Sequence, residues 1–374
     1  MKYFKSIIFI YFLFNSSTIF AQFLKGNALE ASLLAGRILP HSDETSFRVN
    51  ENSIGVQVNW QWQTYGQKEW HELRNYPLFG LSALYFDLGE KEIFGNAFGI
   101  VPNLTIPFLR RNQWNGAFVV GSGVAWLSEH YDVINNPQNN AIGSRLNNAT
   151  LLKWTINYQA SDQVALQLGG GLMHFSNGGA QLPNFGINIP VFALGIRYFP
   201  VPLSKTDFVQ HHTSKTRLQS WAYTFAFGTA YREAFTIGGP RYAVYNSSFA
   251  LSYYSNRHNK ISIGLEHEYH QADYAFGLHT YTFLTEKEAR KAANRLAISV
   301  ANEFLFGHWA VHLLSGFYVG DFSLSKPYPF YLKLSQRYYF SPFGKKAPRI
   351  FAGVSLKTHL FRAEYISLNL GVEF

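Results

Sequence analysis

The chain has 374 residues with no Cys, two Met, 30 Gly and 17% aromatic content, and its formal net charge is +9. The missing thiols exclude disulfides, thiolate metal sites and lipoprotein anchoring through Cys. Aromatic and Gly richness at a mean hydropathy of -0.09 is unlike an ordinary globular domain and fits an outer-membrane barrel. The positive charge points to phosphate-bearing lipid at a membrane surface rather than to nucleic acid, which suits an exported chain poorly.

Residues 1–21 read as a signal peptide, with Lys2 and Lys5 before an apolar run from Ile7 to Phe14 and a small-residue exit to Ala21. That run is too short for a membrane-spanning helix, and no other long apolar run follows. Clean alternation takes over instead. Ile54, Val56, Val58, Trp60 and Trp62 alternate with Gly55, Gln57, Asn59, Gln61 and Gln63. Leu152, Trp154, Ile156 and Tyr158 do the same against Lys153, Thr155, Asn157 and Gln159. Rows of Trp and aliphatics opposite rows of Gln and Asn, behind a signal peptide, predict an all-β, antiparallel transmembrane β-barrel.

Eight strands are predicted at roughly 28–39, 53–65, 77–89, 93–110, 113–128, 149–160, 164–176 and 187–199, ending at Pro200-Val-Pro202. Residues 203–219 are polar, with Lys205, His211, His212, Lys215 and Arg217, and read as a linker. A second set is predicted at roughly 220–233, 242–255, 260–272, 296–306, 309–320, 329–340, 348–361 and 364–374. The 16 strands therefore read as two eight-stranded units, 22–202 and 220–374, with one sixteen-stranded barrel as the alternative. With the N-terminus periplasmic, the short turns at 110–112 and 161–163 are periplasmic, and the loops at 129–148 and 177–186 are extracellular.

Chemistry concentrates on the hairpin from Leu172 to Asn188. His174 and Ser176 share strand parity with Val164, Leu166, Leu168 and Leu172, the lipid-facing set, whereas Gln167 lies on the other side. On the returning strand Asn188 shares parity with the apolar Phe192, Leu194, Ile196 and Tyr198. A serine hydroxyl needs a base, and the base needs an orienting partner. His174 is the candidate base for Ser176, and Asn188 can fix its tautomer. Asn184, with backbone N–H groups around Gly178 and Gly179, is placed to hold an oxyanion, while Pro183 and Gly186 shape the loop.

His174-Phe-Ser176-Asn177 followed by Pro183-Asn184-Phe-Gly186-Ile187 resembles the signature of the PagL-type lipid A 3-O-deacylases, acyloxyacyl hydrolase-like barrels of the outer membrane. By strand count the resemblance spans residues 28–200, although its motif is confined to 174–188. It implies an eight-stranded barrel that hydrolyses an ester-linked acyl chain of lipid A on its lipid-facing wall. It also implies Ser176 as nucleophile, His174 as base and Asn184 as oxyanion donor, with Asn177 a further motif residue. The family's acidic residue falls on Asn188, which is a departure from its Ser-His-Glu triad. Glu129 and Asp132 read as solvated loop charge rather than as a replacement acid.

Three other stretches stand out. Glu266-His-Glu-Tyr-His270 lacks zinc-protease spacing, and its Glu266, Glu268 and His270 are expected to point into a lumen as a polar network. Thr285-Glu-Lys-Glu288 has capping-box spacing and predicts a short helix in an extracellular connection. His359 faces inward by parity, and Phe361 stands where a second nucleophile would be, so no second active site is expected. The expected activity is a lipid-ester hydrolase of the outer membrane acting on lipid A or lipopolysaccharide in the outer leaflet, with no cofactor and no metal. A non-catalytic barrel (porin, uptake channel or structural protein) and a phospholipid hydrolase are the alternatives.

Overall fold

In the computed structural model, which describes residues 24–40, 45–211, 221–320, 328–341, 348–359 and 362–374, the alternation becomes a division between wall and lumen. In β2 (Ser53–Gln63) the side chains of Ile54, Val56, Val58, Trp60 and Trp62 lie outside, each between 41% and 47% exposed. Gln57, Asn59 and Gln61 lie inside, at 0% to 1%. A soluble sandwich buries its apolar face; this strand turns that face outward, as a wall solvated by hydrocarbon does.

The first eight strands are β1 (Asn27–Gly36), β2, β3 (Leu78–Asp87), β4 (Asn96–Arg111), β5 (Trp114–Leu127), β6 (Leu146–Gln159), β7 (Val164–Ser176) and β8 (Ile187–Tyr198). Each pairs antiparallel with its neighbour, and β1 closes on β8 with Leu29 opposite Tyr198 and Gly36 opposite Val191. The second eight are β9 (Trp221–Glu233), β10 (Arg241–Asn256), β11 (Asn259–His270), β12 (Asn294–Phe306), β13 (Trp309–Val319), β14 (Phe330–Tyr339), β15 (Arg349–His359) and β16 (Arg362–Glu373). Here β9 closes on β16, so the chain forms two closed eight-stranded barrels and not one of sixteen.

Both lumens are filled by side chains. Towards the 177–186 loop the first lumen holds an apolar core including Leu34, Phe86, Val101, Leu151, Met173, Phe175 and Ile189. At its other end Glu30 is buried between Arg197 (2.6 Å) and Lys153 (3.3 Å), and Gln167 Nε2 donates to the same carboxylate at 3.0 Å. The second lumen is built from ion pairs. Glu266 pairs with Lys333 at 2.7 Å, and Glu268 pairs with Lys357 and His270, so the three inward-pointing residues of the 266–270 stretch form a buried network as expected.

Among the described residues, three helices lie between strands. α1 (Glu69–Leu73), in the β2–β3 connection, is too short to leave a periodic signal in the sequence. α2 (Gln271–His279) continues directly from β11. α3 (Glu286–Ala292) is the predicted one: Thr285 Oγ1 accepts from the Glu288 N–H at 3.3 Å, and the Glu288 carboxylate returns to Thr285. In the linker a 3₁₀ turn, Lys205–Asp207, is tied to the first barrel by Lys25–Asp207 at 2.6 Å. Residues 1–21, His212, Lys215, Arg217 and Phe361 lie outside the described residues.

Candidate active site

Register on β7 and β8 assembles the site. His174 lies directly opposite Asn188 in the antiparallel pair. Both point away from the lumen, because the alternate positions Met173, Phe175, Ile187 and Ile189 are buried in the core. His174 Nδ1 and Asn188 Oδ1 are 2.6 Å apart. A carboxamide oxygen can only accept, so the proton sits on Nδ1 and Nε2 keeps its lone pair as a base. Ser176 follows two residues later on the same face, about 7 Å further along the strand, and its hydroxyl donates to Asn184 Oδ1 at 3.1 Å.

The 177–186 loop wraps Ser176 in donors. Asn184 Oδ1 accepts the Asn177 N–H at 3.0 Å, which fixes the amide orientation and leaves Asn184 Nδ2 to donate to Ser176 Oγ at 3.0 Å. The Gly178 N–H donates to the same Oγ at 3.1 Å. Gly179 is used differently: its N–H donates to Asn177 Oδ1 at 3.0 Å, so it shapes the turn rather than facing the hydroxyl. Asn177 is a hub, its Nδ2 also donating to Gln181 O at 2.8 Å and Ser144 Oγ at 3.1 Å. Both donors face the serine oxygen itself in this structure.

Glycine is required at position 186 on two counts. Its φ is +83°, and a Cβ there would stand 2.8 Å from His174 Cε1. Gly186 thus sets how close the loop lies to the imidazole. The 129–145 connection supports the loop from the other side, the Gly186 N–H donating to Ala141 O at 2.8 Å. Asp132 is engaged within its own loop. Its Oδ1 accepts the N–H groups of Ile134 (2.9 Å) and Asn135 (2.7 Å), and these bonds, that of Asn135 foremost, hold its carboxyl below the usual range.

One feature escaped sequence reading. Ser122 on β5 and Asn148 and Thr150 on β6 occupy outward positions between Val120, Val124, Leu152 and Trp154, all of which are exposed. Asn148 Nδ2 donates to Ser122 Oγ at 2.9 Å, Thr150 Oγ1 donates to Asn148 Oδ1 at 2.6 Å, and Thr150 and Asn148 sit opposite His174 and Ser176. A polar track therefore interrupts the apolar wall and leads to the hairpin. Its signal was three polar residues at apolar parity, visible only strand by strand.

Residues 54–197 match the family model described as lipid A 3-O-deacylase (PagL), and residues 219–374 match that of the acyloxyacyl hydrolase C-terminal domain. No curated protein matches the chain. Among solved structures it is similar to Neisserial surface protein A (TM-score 0.34, 9% identity, 46% of this chain and 97% of that one). The outer membrane enzyme PagL is similar too (TM-score 0.32, 16% identity, 46% and 99%), as is a mutant of the Rh. blastica porin (TM-score 0.20, 11% identity, 93% and 99%). The chain belongs to the lipid A deacylase family of ester hydrolases, with a lipid A 3-O-deacylase domain followed by an acyloxyacyl hydrolase C-terminal domain.

Proposed function

We propose that the protein removes an ester-linked acyl chain from lipid A in the outer leaflet of the outer membrane, with residues 1–21 as its export signal. Ser176 Oγ attacks the ester carbonyl while His174 Nε2 takes its proton. Asn184 Nδ2 and the Gly178 N–H receive the charge that develops on the carbonyl oxygen. Collapse releases the lipid A hydroxyl, which takes the proton back from His174, and water drawn in by the same base hydrolyses the acyl-Ser176 ester. Asn188 holds the imidazole in the required tautomer but brings no negative charge to the imidazolium. No step calls for a metal or cofactor.

The observation that carries this reading is the 2.6 Å contact between His174 and Asn188 on the outer wall, beside a serine already ringed by donors. A base–acceptor pair on an apolar wall has no part in a lumen. The polar track of Ser122, Asn148 and Thr150 is suited to the sugar and amide groups that adjoin the scissile ester, with the acyl chains along the apolar wall beneath. Inward-facing His359 is bonded to Glu364 at 3.0 Å, which supports a second barrel without a site of its own.

The test is expression of the wild type and Ser176→Ala in a Gram-negative host, with the mass of extracted lipid A as readout. Loss of one hydroxyacyl chain by wild type alone is expected. Equal deacylation by Ser176→Ala would remove Ser176 from the mechanism.

A further inference from the structure

Buried acidic residues of the second barrel meet the glycine-rich loop of the first. Glu233, at the upper end of β9 and only 3% exposed, brackets the loop from both sides. Its carboxylate accepts the Leu182 N–H at 2.5 Å, and its own N–H donates to Ala180 O at 3.3 Å. Arg241, at the start of β10, donates to Gln181 Oε1 at 3.1 Å. Gly178 (φ +66°) and Gly179 (φ +84°) run against β16 so closely that a Cβ would stand 2.3 Å from Ile366 Cδ1 in the first case and 2.6 Å from Glu364 O in the second.

Beneath that contact the second barrel is braced. The Glu364 carboxylate is held by Arg295 at 2.7 Å and by Lys357 at 3.0 Å, and Arg295 reaches on to Asp273 at 2.8 Å, all four residues being buried. Removing any one member leaves its partners charged and dry, so the upper rim of this barrel resists deformation. A braced rim pressed against a loop of positive-φ glycines fixes that loop's shape.

We propose that the second barrel is a positioning module for the first. Glu233 and the rim at Glu364 hold the loop so that Asn184 Nδ2 and the Gly178 N–H stay aimed at Ser176 Oγ. Neither residue touches substrate; both act through the loop. The inference rests on the assignment of Ser176 and its donors made above. It gives the acyloxyacyl hydrolase C-terminal domain a task in the same reaction.

The experiment compares full-length wild type, Glu233→Ala, Glu233→Gln and Arg241→Ala, reading kcat and KM for lipid A deacylation and hydrogen exchange of the 177–186 backbone amides. Glu233→Ala is expected to lower kcat about 10–100-fold with KM little changed, because an ångström of misplacement costs that much. Its loop amides, that of Leu182 first, exchange faster. Glu233→Gln keeps an acceptor oxygen for Leu182 and recovers most of kcat, a rescue that loss of folding would not permit. Arg241→Ala, at an exposed position, gives the same pattern to a smaller degree. Full kcat in Glu233→Ala, or unchanged exchange across the loop, overturns the proposal. Ser176→Ala run alongside separates the two ideas: if it deacylates like wild type, the assignment of the nucleophile fails, and the exchange data alone decide whether Glu233 holds the loop.

Discussion

His174 and Asn188 face each other across the β7–β8 pair with Nδ1 and Oδ1 2.6 Å apart, so the imidazole is oriented by a neutral acceptor. In the proposed mechanism that acceptor brings no charge to the base. Asn188→Asp keeps the shape and restores a charge opposite the imidazolium that forms in the transition state. It is expected to raise kcat about 10–100-fold, whereas Asn188→Leu, which removes the acceptor, lowers it by a similar factor. Initial rates of acyl release check both. An Asp variant no faster than wild type would mean that charge at this position does not limit the reaction.

Gly186→Ala places a methyl group 2.8 Å from His174 Cε1 at a φ of +83°. The imidazole has to tilt or the loop has to lift. A fall in kcat of about 10–100-fold is expected, with the barrel itself still folded by its heat-modifiable migration in gels. Wild-type turnover in this variant would show that ring and loop can both give way at no cost.

Legibility in the sequence followed the range of the interactions. The wall of β2 was plain from Ile54 to Trp62, because period-two alternation is a local property. The His174–Asn188 pairing was foreshadowed by parity on two strands joined by one loop. Closure was not: Leu29 pairs directly with Tyr198 although most of the first barrel's sequence lies between them, and no local residue signals that pairing. The Ser122–Asn148–Thr150 track depends on register between β5 and β6, which parity alone leaves open. Glu233 was invisible for a stronger reason, since its partner Leu182 belongs to the other barrel.

At the far end of the first lumen, Glu30→Ala leaves Arg197 and Lys153 buried without their shared carboxylate. The expected loss is about 3–5 kcal/mol of stability. Urea unfolding from detergent or lipid vesicles measures it. Deacylation by the folded fraction is expected to be unchanged, because the network lies at the opposite end from Ser176. A variant as stable as wild type would mean that water takes the carboxylate's place.

His71 in α1 offers a pH test. Burial, then Lys68 and His211, hold its pKa down to about 4, from an ordinary 6.5. The native state keeps this imidazole neutral while the unfolded chain protonates it, so stability from this residue is complete above pH 6.5 and is lost as pH falls towards about 4. His71→Phe is expected to flatten the unfolding midpoint across that window. An unaltered slope would show that His71 is already charged in the folded protein.

Neither barrel is expected to conduct. Phe86 and Phe175 fill the first lumen, and Tyr331, Tyr365 and Arg295 fill the second, each of them buried. Planar bilayers carrying the purified protein should show no discrete current steps. Regular open-channel steps would contradict the packing of both interiors.

The polar track and the hairpin open sideways from the wall rather than upward to solvent, and on the proposed assignment of the site this sets how the enzyme meets its substrate. Encounter takes place in two dimensions, at a frequency fixed by lateral crowding in the leaflet and not by any dissolved concentration. The large product stays in the same plane after each turnover and returns to the same doorway. Progress therefore slows as the neighbourhood fills with processed lipid, and fresh lipid drifting in from elsewhere restores it.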